Sequence, residues 1–321
     1  MMRQIRLAAV AASLMAAGAH AQNYPAKPIY VLIPLQAGSA GDAMLRIVVQ
    51  KMSENLGQQF IVENQPGAAG LIGAQRLARM APDGYAIGGF SDSVVNYAPS
   101  LAAKPPFDPV NDFAPISFIA GINWIFVVHP SLPAKNVREF IALAKAQPGK
   151  LDYSSAGNGS PQQVAMELFK SRTGIVLTHI PYKGATQQVL DVVGGQIPAT
   201  FTGLSIPLPF IKDGRLRALA TPSEKRLALI PDVPTMNEAG VQGFLFNTWL
   251  GIYAPKATPR AIIDRLNSEA AKVLTDNATR ERLVGLGFEP RASTPEDLSK
   301  LTREGYERVR KVIKDAGIKV E

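Results

Sequence analysis

The sequence predicts an α/β protein of two domains, and three observations carry that expectation. The chain has 321 residues, enough for about two domains at roughly 150 residues each. Short apolar runs alternate with stretches of helical periodicity, and they do so in two successive series. Each series contains a strand, a glycine-rich loop and a helix start in that order, so the two halves present equivalent junctions.

In the first series, residues 29–34 read as a strand, after which Leu45, Val48, Val49, Met52 and Leu56 follow helical spacing. A strand over 60–62, a helix over 71–80 and a strand over 86–90 complete a β-α-β-α-β run. Such a run implies a parallel sheet with helices on both faces. The second series follows the segment 115–130. Asn136 is placed to cap a helix carrying Phe140, Ile141 and Leu143, with Glu139 at the capping-box position. Strands are expected over 151–154, 177–180, 197–202 and 216–220. Between the first two, Ser160 and Pro161 form an N-cap and first-turn proline, Val164, Leu168 and Phe169 make the apolar stripe, and Gly174 stops the helix. Another short helix covers 189–193. Two long helices close the chain. Thr258-Pro259 opens one with Ile262, Ile263, Leu266, Ala270 and Val273 on one side, and Thr294-Pro295 opens the other with Leu298, Leu301, Val309 and Val312. The proline-rich stretch 104–109 reads as a surface loop.

Composition narrows the function classes. Hydrophobic residues make up 46% and charged residues 19%, which places the chain among globular proteins and not disordered ones. Cysteine is absent, which excludes disulfides, thiolate metal sites and cysteine nucleophiles. The formal charge is +8, but the basic residues are scattered. Their densest patch, 303–314, interleaves Glu304, Glu307 and Val309 as a solvated helix face does. No nucleic-acid partner is expected, although a positive field would steer small anions.

The first 21 residues read as a secretory leader. Arg3 and Arg6 form a positive start, 7–17 is a short apolar run, and Ala19-His20-Ala21 fits a cleavage site. The run is too short to remain as a membrane anchor, and no cysteine follows it for a lipid. Cleavage near Ala21 would leave a soluble, exported chain starting near Gln22, and losing two arginines lowers the charge from +8 to +6.

Catalytic and metal motifs are scarce. Of the three histidines, His20 leaves with the leader, His129 precedes Pro130, and His179 lies in an expected strand. No carboxylates cluster with them at ligand spacing, so no metal and no cofactor is expected. There is no phosphate-binding G-x-x-x-x-G-K-[ST] loop, no G-x-S-x-G elbow and no S-x-x-K. A Ser-His-Asp arrangement assembled from distant residues remains open at this level. The run 67–73 is glycine-rich ahead of a helix without the dinucleotide spacing, and reads equally as a tight turn or a ligand loop.

The two junctions carry more weight. Ala37-Gly38-Ser39-Ala40-Gly41 follows the first strand and opens a helix near Asp42, and Ala156-Gly157-Asn158-Gly159-Ser160 does the same before Pro161. Backbone N–H groups at such places point into the crevice at the strand carboxyl ends, where the helix terminus is partly positive. Two facing junctions would clamp both ends of one anion such as a dicarboxylate, and two ordinary β-α turns would read the same. Asn64, Ser91, Ser93, Asn158, Ser160, Tyr182 and Thr202 fall at expected strand ends or in the loops after them. These neutral groups suit hydrogen bonding better than acid–base chemistry. Trp249 could close over a ligand or fill the core.

Taken in order, these motifs resemble the Bug family, the extracytoplasmic solute-binding components of tripartite tricarboxylate transporters. The resemblance spans the whole chain after the leader. It runs through 34–42 with Arg46, through Val62-Glu63-Asn64-Gln65-Pro66-Gly67-Ala68-Ala69-Gly70 with Ile72-Gly73, and through Pro82-Asp83-Gly84-Tyr85. It continues through 153–161, Pro181-Tyr182-Lys183-Gly184, Gly194-Gly195-Gln196, Leu216-Arg217-Ala218-Leu219-Ala220 and Pro231-Asp232-Val233-Pro234-Thr235. The resemblance implies a two-lobed periplasmic-binding-protein fold with two crossovers, near 124–129 and after 216–221. Lobe 1 would combine 22–124 with 222–321, and lobe 2 would cover 125–221. It also implies capture of a small di- or tricarboxylate in the periplasm and its presentation to membrane transporter subunits or to a sensor ectodomain; a monomer is expected. The two junctions then supply the candidate ligand-binding residues, Gly38, Ser39 and Ala40 at one end and Asn158, Gly159 and Ser160 at the other. The Tyr182 hydroxyl stands alongside, with Asn64, Ser93, Thr202 and Trp249 around them and Asp42 as a brace. Two departures from the family pattern bear on the ligand. Ser39 stands where many relatives have a second glycine, and Thr202 replaces an acidic or amide residue, which disfavours an amino-acid ligand. The rival reading is an exported hydrolase or isomerase with His179 or Asp42 as its base.

Overall fold

The computed structural model describes residues 24–315; the leader expected at 1–21 lies outside the described residues. In chain order the first elements are β1 (Ile29–Ile33), α1 (Ala40–Leu56), β2 (Phe60–Asn64), a 3-10 turn (Ala68–Gly70), α2 (Leu71–Ala78) and β3 (Ala86–Ser91). A π-turn (Ser93–Tyr97), α3 (Ala98–Leu101), β4 (Phe113–Ile122), β5 (Trp124–Val128), α4 (Val137–Ala146), β6 (Asp152–Ser155), α5 (Pro161–Thr173) and β7 (Thr178–Pro181) follow. The chain ends with α6 (Ala185–Val193), β8 (Ala199–Gly203), α7 (Leu208–Lys212), β9 (Arg217–Ala220), β10 (Thr248–Pro255), α8 (Arg260–Thr275), α9 (Asn277–Gly285), β11 (Phe288–Pro290) and α10 (Pro295–Asp315).

The strands form two sheets, ordered β11-β4-β10-β3-β1-β2 and β7-β6-β8-β5-β9. Both start from the same nucleus. In the first, β1 lies between β2 and β3 and pairs in parallel with each. In the second, β6 lies between β7 and β8 and does likewise. The all-parallel expectation holds only for these nuclei. Beyond β3 and β8 the next strands, β10 and β5, run antiparallel, and β4, β9 and β11 extend the sheets antiparallel again. The reason is the crossover. A strand arriving from the other lobe enters from the opposite end, so it runs against its neighbours.

The caps behave as the sequence indicates. Asn136 accepts from the Glu139 N–H at 2.9 Å, and Glu139 reaches back to the Asn136 side-chain amide and, one residue before the cap, to the Lys135 N–H, both at 2.7 Å, a shifted form of the capping box. Gly174 ends α5 in the left-handed region at φ 68°, where a side chain would be strained. Aromatic rings fill the second lobe: Phe126 stacks on Phe201 at 4.7 Å and meets Phe140 edge-on at 4.9 Å. The first lobe is filled by Phe90, Phe113 and Tyr253, with Phe90 stacked on Tyr253 at 5.6 Å.

A single residue, Asn123, links β4 to β5, and its carbonyl accepts from the Leu204 N–H at 2.8 Å. The return path is longer. Residues 222–247, which the family resemblance gives to lobe 1, pack on the second sheet: Phe244 stacks on Phe201 at 5.7 Å, and Leu227 and Ile230 are buried beside Ile125 and Val127. The crossing back therefore falls at Thr248, and Trp124 pairs with Gly203 of the second sheet. Strands β4 and β10 had no counterpart in the sequence reading.

Candidate functional site

Parallel strands fed by short loops place helix starts at one end of a sheet. Here the carboxyl ends of both parallel nuclei face one cavity of ≈ 610 Å³ between the sheets. Its wall takes Ser39, Ala40 and Gly41 from the start of α1 and Ala68, Ala69 and Gly70 from the turn before α2. Across the cleft it takes Ser160 and Gln162 from the start of α5 and Gly184 and Ala185 from the start of α6. Four helices thus point their partly positive ends at one space. No aspartate or glutamate lies among the residues lining it, and the one basic residue there, Lys183, is exposed at the rim.

The local hydrogen bonds decide which donors remain free. At α1, Ser39 caps the helix by accepting from the Asp42 N–H at 3.3 Å. Gly38 N–H is consumed by the Asp42 carboxylate at 2.9 Å, and Ser39 N–H by the Gln36 carbonyl at 3.2 Å. The helix geometry leaves the N–H groups of Ala40 and Gly41 without intrahelical acceptors. Asp42 is the brace of this loop: it is buried, and it also receives Arg46 at 3.0 Å and Asn64 at 2.8 Å. Asn64 bonds the Leu35 carbonyl at 3.0 Å as well, so it holds the loop and does not line the cavity.

At α5 the pattern repeats. Ser160 caps the helix by accepting from the Gln163 N–H at 3.4 Å, and its own N–H goes to the Gly157 carbonyl. Gly159 N–H donates to Gln163 Oε1 at 2.7 Å. These bonds leave the Gln162 N–H at the helix start free. The turn 68–70 is unusual. Ala68 and Ala69 take φ 46° and 53°, and Gly70 takes φ 94°. Two alanines in the left-handed region cost on the order of 1–3 kcal/mol each, and all three residues of the turn line the cavity.

Three side-chain atoms on the wall are buried with no protein partner: Ser91 Oγ, Thr202 Oγ1 and Gln162 Oε1. An unsatisfied buried polar group costs about 1–3 kcal/mol, so the wall is set up for a polar occupant.

Of the expected site residues, Ser39, Ala40, Ser93, Asn158, Ser160, Tyr182 and Thr202 line the cavity. Gly38, Asn64, Gly159 and Trp249 do not. Trp249 is a core residue, packed against Phe118 with ring centres 6.1 Å apart. The indole on the wall is Trp124, and Tyr182 spends its hydroxyl on Asp191 at 2.7 Å. Sequence reasoning missed Gln162, Thr248 and Gln36. The first two belong to a helix's second position and to a strand it had not identified. Neither base of the rival reading stands on the wall. The Asp42 carboxylate is fully engaged, and His179 bonds Ser155, which is buried.

The two lobes approach each other at two points on the rim of the cavity. Gln36 of the first lobe lies directly against Gly184 of the second, and Ala69 lies beside Gly159. Two lobes of like topology joined by two crossovers, with an anion-suited cleft between them, define a periplasmic-binding-protein fold. The family model described as tripartite tricarboxylate transporter family receptor matches residues 44–318, and the chain belongs to that family. Protein BugT of Bordetella pertussis is 33% identical over 314 residues, which cover 97% of this chain and 96% of the relative. The structure of the periplasmic binding protein BugD superposes with a TM-score of 0.88 at 30% identity, covering 92% of this chain and 99% of that one. An R. palustris structure solved with adipate gives a TM-score of 0.88 at 30% identity, covering 92% and 98%.

Proposed function

We propose that this chain is an exported receptor that captures a small di- or tricarboxylate in the cleft between its lobes and presents it to a membrane partner of a tripartite transporter. The observation that carries the reading is the wall itself. It combines four helix starts and three partnerless polar atoms with no acidic side chain. One carboxylate meets the N–H groups of Ala40 and Gly41 with the turn 68–70. The distal one meets Gln162 N–H, Asn158 and the start of α6. Ser91, Ser93 and Thr202 bond its oxygens from the side. Each charge-assisted bond contributes roughly 1.5–3 kcal/mol, and four to six of them, less ordering costs, give about micromolar affinity.

Between the two ends the wall is apolar, with Pro34, Leu35, Ile122, Trp124 and Ile206, which suits an aliphatic spacer. Adipate, which a relative holds, fits this description. A capture role without turnover is supported by the engagement of Asp42 and by the position of His179 away from the wall. Closure changes the outer surface, which a transporter subunit reads. We place this protein in the periplasm as a monomer.

Native mass spectrometry of the chain from Gln22 onward, followed by thermal shifts against succinate, adipate, citrate and benzoate, tests the reading. A co-purified acid, or a stabilisation that grows with concentration as mass action requires, is the expected result. No bound mass and no shift with any acid would overturn it.

A further inference from the structure

Behind the second anion cup lies a closed chain of hydrogen bonds centred on His179. Gly159 N–H donates to Gln163 Oε1 at 2.7 Å, which fixes the orientation of that amide. Gln163 Nε2 therefore faces His179 Nδ1, 3.4 Å away, and since the amide nitrogen only donates, Nδ1 must accept. The single ring proton then sits on Nε2, 2.6 Å from Ser155 Oγ. Ser155 in turn accepts from the Gly157 N–H and donates to the Gly157 carbonyl, both at 3.1 Å. Each bond in this chain joins a donor to an acceptor, and both ends of it terminate on the 157–160 loop.

We propose that His179 is a positioning residue for ligand capture. As a neutral imidazole protonated at Nε2 it holds the 157–160 loop through Ser155 on one side and Gln163 on the other, and binding weakens when the ring gains a second proton. This rests on the reading of that loop as one end of the carboxylate site. A proton on Nδ1 would face the Gln163 amide hydrogens, so the amide must turn and release Gly159. The titratable groups facing the ring are Tyr153, stacked on it at 4.9 Å, and Glu167 and Lys170 of α5. The Glu167 carboxylate is already taken by the Tyr153 hydroxyl at 2.6 Å and by Lys170 at 2.7 Å. Burial holds the ring below its ordinary pKa, with Lys170 adding to the depression and Glu167 opposing it, so the neutral form persists at pH 7.

Two measurements test this. In the ligand-free protein, amide exchange is followed at Gly157 and Gly159, and nitrogen chemical shifts report the ring tautomer. His179→Phe keeps the stacking and removes both ring nitrogens; it should lower protection at both glycines. In the wild type the proton should sit on Nε2. In the second arm, adipate is titrated from pH 7.5 to 5.5. As the pH falls through the ring's own titration, which the nitrogen shifts locate, the wild type should weaken by up to roughly tenfold more than His179→Phe does, the value of about one lost hydrogen bond; the comparison removes the titration of adipate itself. In Gln163→Glu a carboxylate can accept from Nδ1–H, so the dependence on pH should change sign. Equal glycine protection in wild type and His179→Phe, a proton on Nδ1, or an unchanged sign in Gln163→Glu would each overturn the proposal. The exchange arm needs no acid. Failure of adipate to bind at any pH therefore counts against the functional reading, and the glycine protection then decides this one.

Discussion

The indole Nε1 of Trp124 donates to Thr248 Oγ1 at 2.7 Å, and both residues are buried. They are the first residues of β5 and β10, the two strands on which the chain changes lobes. The bond therefore ties the two crossovers together beside the cavity, and Phe246 meets the indole edge-on at 5.0 Å.

Thr248→Val keeps the shape and leaves the indole N–H without its acceptor. Unfolding free energy should fall by about 1–3 kcal/mol, read from urea denaturation at constant m-value. Adipate affinity should fall as well, because the hinge loses its fixed spacing. Stability unchanged within error would show that the tie is not used.

Thr202 offers the opposite case. Its hydroxyl is fully buried on the cavity wall and unpartnered. Thr202→Val should leave the empty protein as stable or up to about 1–3 kcal/mol more stable, while carboxylate affinity drops. Calorimetric melting with and without ligand separates the two effects. A destabilised empty protein would mean the hydroxyl has a structural partner.

Gly184 lies against Gln36 across the cleft, and its φ of 163° is extended backbone open to any residue. Gly184→Ala should therefore fold normally and obstruct closure alone. Small-angle scattering should show that saturating ligand no longer compacts the variant, and adding Gln36→Ala should restore compaction. Normal closure in the single variant would remove this contact from the closing surface.

Asp92 sits between the two wall serines, Ser91 and Ser93. Burial pushes its carboxyl up to about 8, against the opposing N–H bonds from Ser93 and Trp249 and the charge of Arg308. The folded state thus keeps a proton that the unfolded chain releases above pH about 4. Its contribution to stability is full below that pH and is lost as pH rises toward 8, by at most about 1.4 kcal/mol per unit. Asp92→Asn should flatten the decline of melting temperature between pH 5 and 8. An identical decline in the variant would assign the slope elsewhere.

The parallel nuclei and their caps were legible in the sequence, because each signal is local. Ser160-Pro161 and Gly174 mark a helix whatever surrounds it, and the glycine loops announce the junctions. Strands β4 and β10 were not. The sequence of β10, TWLGIYAP, is buried at every position and shows no alternation, and its partners lie more than a hundred residues away. At the site, residue types in the loops could be read but the fate of their N–H groups could not. Gly38 and Gly159 look like free donors, but the side chains of Asp42 and Gln163, each four residues on in the first turn of the helix, take them. The choice between Trp124 and Trp249 is tertiary: both are buried, but only Trp124, at the start of a strand in the second sheet, reaches the cavity wall.

The bond between Trp124 and Thr248 also says something about modularity. The segment 124–247 leaves the first sheet at one point and returns to it at a residue in direct contact. The second lobe is therefore an insertion whose two ends meet, and loops of this kind accept exchange. Swapping 124–247 between relatives would graft a new distal end for the ligand onto an unchanged scaffold, with no linker to design.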